Sequence, residues 1–339
     1  MKKELILPKG YHSEMTIRQT EVAIKDVKDF FERALANALN LTRVSAPLFV
    51  RPESGLNDNL NGVERPVTFG MLELNDAPCE IVHSLAKWKR KALGAYEFSV
   101  GEGLYTDMNA IRRDELTDNL HSIYVDQWDW ERVIAREERT DESLRAIVGK
   151  IYAALLDTEA FVSGKYAAFG VKAKLPREIT FISTQELSDK YPEYSAKERE
   201  YAIAKECGAV FLSQIGGRLK SGEKHDGRAP DYDDWSLNGD ILLYYPTLDC
   251  ALEISSMGIR VDEKSLINQL KQENCMDRLE LPFQKALAAG ELPLTIGGGI
   301  GQSRLCMFFL NKAHIGEVQS SIWPEYDIAA CAQNGIRLL

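Results

Sequence analysis

The run Gly297-Gly298-Gly299-Ile300-Gly301, followed by Gln302-Ser303-Arg304 and the apolar stretch Leu305-Cys306-Met307-Phe308-Phe309-Leu310, constrains this chain more than any other segment. Glycines let a flat or charged ligand come close to the main chain, and an arginine at the start of a buried helix is aimed by the fold. Two readings follow. Either this is a glycine-rich turn before a core helix with Arg304 as a surface charge, or it is part of a nucleotide site with Arg304 as its fixed cation. Spacing removes two familiar versions of the second reading. No GxxxxGK[ST] occurs, and the run from Gly297 to Gln302 lacks the final glycine of a dinucleotide fingerprint.

A chain of 339 residues, 45% of them hydrophobic, can bury a large core. Its 51 acidic against 41 basic side chains leave a formal charge of -10, which argues against a broad nucleic-acid surface, so no nucleic-acid partner is expected. A small anion at a local basic site remains open. Cys79, Cys207, Cys250, Cys275, Cys306 and Cys331 form no CxxC pair, so neither zinc nor a disulfide framework is expected, and a reducing cytoplasmic location is. The start, Met1 to Pro8, is too short for a signal peptide, and no apolar run approaches a membrane span. His12, His83, His121, His225 and His314 are scattered, and neither GxSxG nor HExxH is present. The polar residues therefore point to electrostatic work more than to a nucleophile or a histidine base.

Apolar residues at Val27, Phe30, Phe31, Ala34, Leu35 and Ala38 predict a long helix ending near Asn40, with a strand running on toward Pro47. Cys79 to Val82 reads as a strand leading into a basic helical segment from Ser84 to Lys91. Leu104 to Arg112 and Ser122 to Glu131 read as a long-looped antiparallel hairpin. Leu144 to Leu156 is helical, Ser183 and Ser195 open capping boxes, and Gly208 ends the second of those helices. A glycine- and aspartate-rich loop from Gly216 to Gly239 precedes strands at Asp240 to Tyr245 and Ala251 to Arg260. Long antiparallel strands with helices in blocks favour an α+β fold, an antiparallel sheet flanked by helices in one domain of residues 1–339 with a short extension at about 1–15.

Strand parity puts Gln127, Asp129 and Glu131 on one face, and the hairpin brings Arg112 onto the neighbouring strand. Such a face is either a charged pocket or a wet sheet surface with ordinary salt bridges. Asp240 and Glu253 make a similar pair, suited either to magnesium beside a triphosphate or to a basic partner such as Arg260.

The strings His83 to Arg90, Gly101 to Thr106, Tyr124 to Glu131, Arg228 to Trp235 and Thr295 to Arg304 resemble the ammonia-dependent asparagine synthetases, a family of AMP-forming aspartate–ammonia ligases. The likeness runs from about Thr16 to Pro324. That family is similar to the catalytic core of class II aminoacyl-tRNA synthetases. The long helix and Pro47 then resemble motif 1, which builds a homodimer interface; the hairpin with Arg112 resembles motif 2, and the glycine run with Arg304 motif 3. Motif 2 usually reads arginine, one residue, glutamate; here Ile111-Arg112-Arg113-Asp114-Glu115 departs from it. Arg112 is chosen because it ends the strand, with Glu115 as the adenine contact.

The resemblance implies the reaction of aspartate, ATP and ammonia to asparagine, AMP and diphosphate. It implies Arg112 and Gln127 at the reacting groups, and Ser84, Lys89 and Ser256 on the amino-acid end, Lys89 matching the α-carboxylate. It also implies magnesium on Asp240 and Glu253, Gly299 in the pocket floor, and Arg304 on the γ-phosphate or stacked on adenine. Ammonia is mostly ammonium at neutral pH and needs a proton acceptor, for which Asp58 is the first choice and Asp231 the second. A tRNA synthetase would add an anticodon-binding domain. A glutamine-dependent enzyme would add an amidotransferase domain with an N-terminal cysteine, where this chain has Lys2. A non-catalytic relative that kept the fold would not be expected to retain Arg112, Gln127, Asp240, Glu253 and Arg304 together.

Overall fold

A computed structural model describes residues 5–57 and 64–339. The first helix, α1 (Ile17–Leu39), buries Ala23, Val27, Phe31, Leu35 and Leu39 on one face. Its start is fixed by a capping box between Thr16 and Gln19, and its end by Asn40 in the left-handed conformation, which asparagine tolerates. Phe31 packs on Trp128 with ring centres 5.0 Å apart. Each fully buried side chain of this kind stabilises the fold by roughly 1.5–3 kcal/mol.

After α1 come β1 (Leu41–Arg43), β2 (Phe49–Val50), β3 (Thr68–Met71) and β4 (Ala77–Ile81). Helix α2 (Ala86–Ala95) leads into the hairpin of β5 (Gly103–Ile111) and β6 (Tyr124–Val133). The middle of the chain supplies α3 (Asp141–Lys165), β7 (Thr180–Ser183), α4 (Thr184–Lys190), α5 (Ala196–Cys207) and β8 (Ala209–Ser213). A second long hairpin follows, β9 (Asp233–Tyr245) and β10 (Cys250–Arg260), then α6 (Glu263–Gln272) and α7 (Pro282–Ala288). The glycine run lies in β11 (Thr295–Gly301), and α8 (Gln302–Phe309) and α9 (Glu325–Gln333) complete the order.

The main sheet has the order β1-β5-β6-β11-β10-β9-β8-β7. From β5 to β8 every neighbour is antiparallel, while β1 and β7 join the two ends in parallel. Strands β2, β4 and β3 form a separate small sheet. This is the expected α+β architecture, and the capping boxes at Ser183 and Ser195 and the helix stop at Gly208 stand where the sequence put them. Residues 5–15 are tied down: the Ile6 N–H donates to Asn119 Oδ1 at 2.7 Å, the Tyr11 hydroxyl to Glu317 and the Lys312 ammonium to Ser13.

One expected loop is shorter than its composition suggested, because β9 begins at Asp233 inside the polar stretch from Gly216 to Gly239. Apart from Trp235, the buried positions of this strand start are polar. Asp233 pairs with Arg260, Asp234 with Arg139, and the Asn238 side-chain amide donates to the Ile215 carbonyl. An alternating hydrophobic pattern has nothing to register there.

The glycine run is not a turn. It forms a fully extended strand in the sheet interior, with Gly297, Gly298 and Gly299 opposite Glu131, Trp130 and Asp129 of β6. A Cβ on Gly297 would lie 2.0 Å from Glu131 Oε2, one on Gly298 2.5 Å from Met257 Cβ, and one on Gly299 2.4 Å from Gln127 Oε1. Glycine in a strand costs about 0.5–1 kcal/mol relative to alanine. Here the bare strand is what lets polar side chains of β6 lie across it.

Candidate active site

Above β11 lies a cavity of about 550 Å³, within the range of small-molecule sites. The β5–β6 hairpin contributes Arg112, Glu115 and Gln127 to its walls; the entry to α2 contributes Ser84 and α2 itself Lys89; β10 contributes Glu253 and Ser256; β11 contributes Gly298 and Gly299. An adjoining recess is lined by Arg112, Glu115, Gln127 and Arg304. Eight residues assigned from sequence to different ends of the substrates thus meet at one cavity, with Arg304 at its annex.

The floor is a buried charge network. Lys89 Nζ donates to Asp129 Oδ1, the Trp130 carbonyl and the Gly298 carbonyl, each at 3.0 Å. Arg260 binds Glu131 through Nε and Nη2, at 2.9 and 2.8 Å, and also Asp233. Thr295 Oγ1 donates to Glu131 at 2.7 Å. Burial works against the Glu131 charge, yet Arg260 and Lys89 outweigh it and hold the carboxyl below its usual range. Burial pushes Asp233 up, against the pull of Arg260. Three carboxylates, Asp129, Glu131 and Asp233, thus face two cations, Lys89 and Arg260. The excess negative charge surfaces at Asp129 Oδ2, which is buried without a hydrogen-bond partner among the described residues. Across the cavity, Arg112 Nε is a buried donor in the same condition.

Arg112 is the first residue after β5 and its N–H still continues the ladder to the Ile123 carbonyl, so its side chain leaves from a rigid base. Arg113 is exposed and borders the same cavity. Arg304 sits in the first turn of α8. Its Nη1 donates to the Glu253 carbonyl at 3.0 Å and its Nε to the Leu120 carbonyl at 3.4 Å, which fixes the guanidinium between the two long hairpins.

Glu253 and Ser256 are three residues apart, and simple alternation would put them on opposite faces. A bulge between Glu253 and Ser255 corrects the parity: Ser256 lies opposite Asp240 and Glu253 opposite Leu242, so Asp240, Glu253 and Ser256 share one face. Asp240 is buried and pairs with Arg228, not with Arg260. Burial first, and the neighbouring Glu253 charge, raise its carboxyl to about 6 in spite of Arg228. Burial also opposes the Glu253 charge, but Arg304, Arg228 and Lys197 hold that carboxyl low. Asp240 Oδ1 is buried and meets no hydrogen-bond donor at bonding distance among the described residues.

Two assignments change. The three N–H bonds of Lys89 are all used within the floor, so this lysine orients Asp129 and has no donor left for an α-carboxylate. Asp231 is fully buried and faces away from the cavity into Lys87 at 2.9 Å, Arg278 at 3.2 Å and the Gln284 amide at 2.7 Å. A carboxylate neutralised in this way is removed as an acceptor for the ammonium proton. Asp58 lies outside the described residues. Two wall residues not assigned from sequence are Asp129, already on the Gln127 face by parity, and Arg228, whose role depends on contact with Asp240 twelve positions away.

The fold of this sheet and its helices is the one seen in the catalytic cores of class II aminoacyl-tRNA synthetases. The asparaginyl-tRNA synthetase of Pyrococcus horikoshii, solved with asparaginyl-adenylate, superposes with a TM-score of 0.66 at 14% identity, covering 91% of this chain and 71% of that one. The aspartyl-tRNA synthetase of Entamoeba histolytica superposes at 0.61 with 12% identity, over 89% of this chain and 59% of that one. At such identities the likeness is one of fold. The sequence goes further: the aspartate–ammonia ligase family matches residues 18–335, and the chain belongs to that family. It is 64% identical over 335 residues to the aspartate–ammonia ligase of Ruminiclostridium cellulolyticum, covering 99% of each chain. The corresponding protein of Clostridium perfringens is 62% identical over 337 residues, 99% of this chain and all of that one.

Proposed function

We propose that this chain converts aspartate, ATP and ammonia to asparagine, AMP and diphosphate through a β-aspartyl-adenylate. The observation that carries the site assignment is a pair of groups in one cavity that have no hydrogen-bond partner among the described residues, Asp129 Oδ2 and the Arg112 guanidinium Nε. Together they suit a substrate that brings an ammonium at one end and a carboxylate at the other. Asp129, steadied by Lys89, takes the α-ammonium, and Ser84 and Ser256 lie on the amino-acid end. Arg112 holds the β-carboxylate against the α-phosphate, with Gln127 beside it.

The β-carboxylate oxygen attacks the α-phosphorus and the bond to diphosphate breaks. Negative charge gathers on the phosphorus oxygens, and a fixed cation in a cavity with little water is worth far more there than in bulk solvent. Arg112 supplies that cation from a rigid strand end. Arg304, docked between the hairpins, holds the far end of ATP, and Glu115 and the Gly299 backbone lie along the nucleotide. Ammonia then attacks the β-carbonyl, AMP leaves, and the surplus proton passes to a carboxylate, for which we retain Asp58.

Asp240 and Glu253 fit magnesium. They offer hard oxygen donors on one face, one of them buried and unsatisfied, and no group of three or more His, Cys, Asp or Glu ligands occurs among the described residues. Two protein ligands leave most of the coordination to phosphate and water, as magnesium prefers. The ion would spread the charge of the triphosphate and of departing diphosphate. The same reading carries a homodimer through α1 and the segment after it, where Ile17, Val22, Leu48 and Phe49 are exposed on the single chain. A cytoplasmic site agrees with six unpaired cysteines, and no helix among the described residues is long and apolar enough to cross a membrane.

Aspartate labelled with heavy oxygen in its β-carboxylate tests the order of events. One labelled oxygen should appear in AMP and none in diphosphate. Label in inorganic phosphate with formation of ADP would reject the adenylate.

A further inference from the structure

Helix α8 carries Arg304 in its first turn, yet its N-cap is Gly301, which has no side chain to hold the free N–H groups. The acceptor comes from another strand. Asp126 of β6 accepts the Ser303 backbone N–H at 3.1 Å and the Ser303 hydroxyl at 2.8 Å. The same carboxylate accepts the Gln319 amide at 3.3 Å and the Lys28 ammonium of α1 at 3.0 Å. Two donors fall on each oxygen, so the lone-pair sites of this carboxylate are filled and none is left for substrate. Asp126 is buried and points to the opposite face of β6 from its neighbour Gln127. One side chain therefore ties the strand bearing Gln127, the helix bearing Arg304 and, through Lys28, the long helix α1.

We propose that Asp126 is a positioning residue for ATP: it caps α8 in place of the missing N-cap side chain and so sets where the Arg304 guanidinium stands. A carboxylate at a helix N-terminus is favoured both by the free N–H groups and by the helix dipole, and Lys28 pairs with it at 3.0 Å. The one long arginine in that turn is the lever. A small rotation of the first turn moves a guanidinium at the end of a long side chain by more than it moves the backbone. Aspartate recognition, which sits on Asp129, Ser84 and Ser256 across β6, does not pass through this link.

The proposal rests on the assignment of Arg304 to ATP, and the test separates the two. Steady-state constants are measured for Asp126→Ala, Asp126→Asn, Ser303→Ala and Arg304→Ala, and for the double variant Asp126→Ala with Arg304→Ala, with Tm for each. Loss of the cap should raise KM for ATP by roughly tenfold in Asp126→Ala while KM for aspartate changes by less than about twofold. Asp126→Asn keeps one acceptor for the Ser303 N–H and should recover most of that loss. In the Arg304→Ala background the second substitution should add little, since the two act as a unit. Should Asp126→Ala fail to fold, Asp126→Asn and Ser303→Ala carry the same test, each with a rise of about threefold in KM for ATP alone. Equal changes in both KM values, or full additivity with Arg304→Ala, would overturn the positioning role. An Arg304→Ala enzyme with unchanged KM for ATP would instead overturn the Arg304 assignment beneath it.

Discussion

Arg112→Ala is expected to slow aspartate-dependent ATP–diphosphate exchange by roughly 10²–10³-fold, the range for losing one preorganised group at developing charge. The side chain leaves from the end of β5, its Nε is buried without a hydrogen-bond partner among the described residues, and it borders both the cavity and its annex. Among the described residues it makes no ion pair, so the variant should unfold at nearly the wild-type denaturant concentration. Arg112→Lys should restore only part of the rate, because an ammonium cannot present the paired planar donors that a carboxylate and a phosphate oxygen both use. Exchange within twofold of wild type in Arg112→Ala would remove this residue from the chemistry.

Gly297→Ala should act on the fold instead. The added methyl would sit 2.0 Å from Glu131 Oε2 and 2.7 Å from Arg260 Nη2, inside a pair that is buried on every side. Nothing nearby is the free end of a flexible chain, so the Glu131–Arg260 contact must open. Breaking a buried pair costs about 3–5 kcal/mol, a large part of the roughly 5–15 kcal/mol that holds a domain folded. Gly149→Ala supplies the contrast. That glycine lies in α3 with nothing within 4 Å of an added Cβ, and the same substitution there should stabilise by about 0.8–1 kcal/mol through helix propensity. Urea midpoints measure both. A Gly297→Ala protein as stable as wild type would mean that the glycine strand is not held bare by the network beneath it.

These contrasts bear on what the sequence could disclose. Helix α1 was legible because its apolar residues recur at helical spacing. The β5–β6 hairpin was legible because two long extended runs flank one polar loop, and parity then put Gln127, Asp129 and Glu131 together. The glycine strand was not, since periodicity is carried by side chains and these residues have none. Its conformation is dictated by Glu131, Gln127 and Met257 from two neighbouring strands. The start of β9 stayed hidden because its first two buried positions are aspartates satisfied by arginines far along the chain.

The site was legible as residue types but not as pairings. Lys89 and Asp231 both belong to the strings that carry the family resemblance, yet each is consumed by buried partners, and only three-dimensional contact separates a ligand-binding charge from one already neutralised. The bulge beside Glu253 belongs to the same class. It changes the parity of β10 by one residue and brings Glu253 and Ser256 onto one wall, which no alternation rule on that strand alone would give.

The most direct measurement incubates the purified protein with aspartate, magnesium-ATP and ammonium, without tRNA, and follows every product in time. Asparagine, AMP and diphosphate should appear in equal amounts, with none formed when aspartate is withheld and no asparagine or multiple turnover when ammonium is withheld. Asparagine accompanied by ADP and phosphate, or no asparagine until tRNA is supplied, would contradict the account.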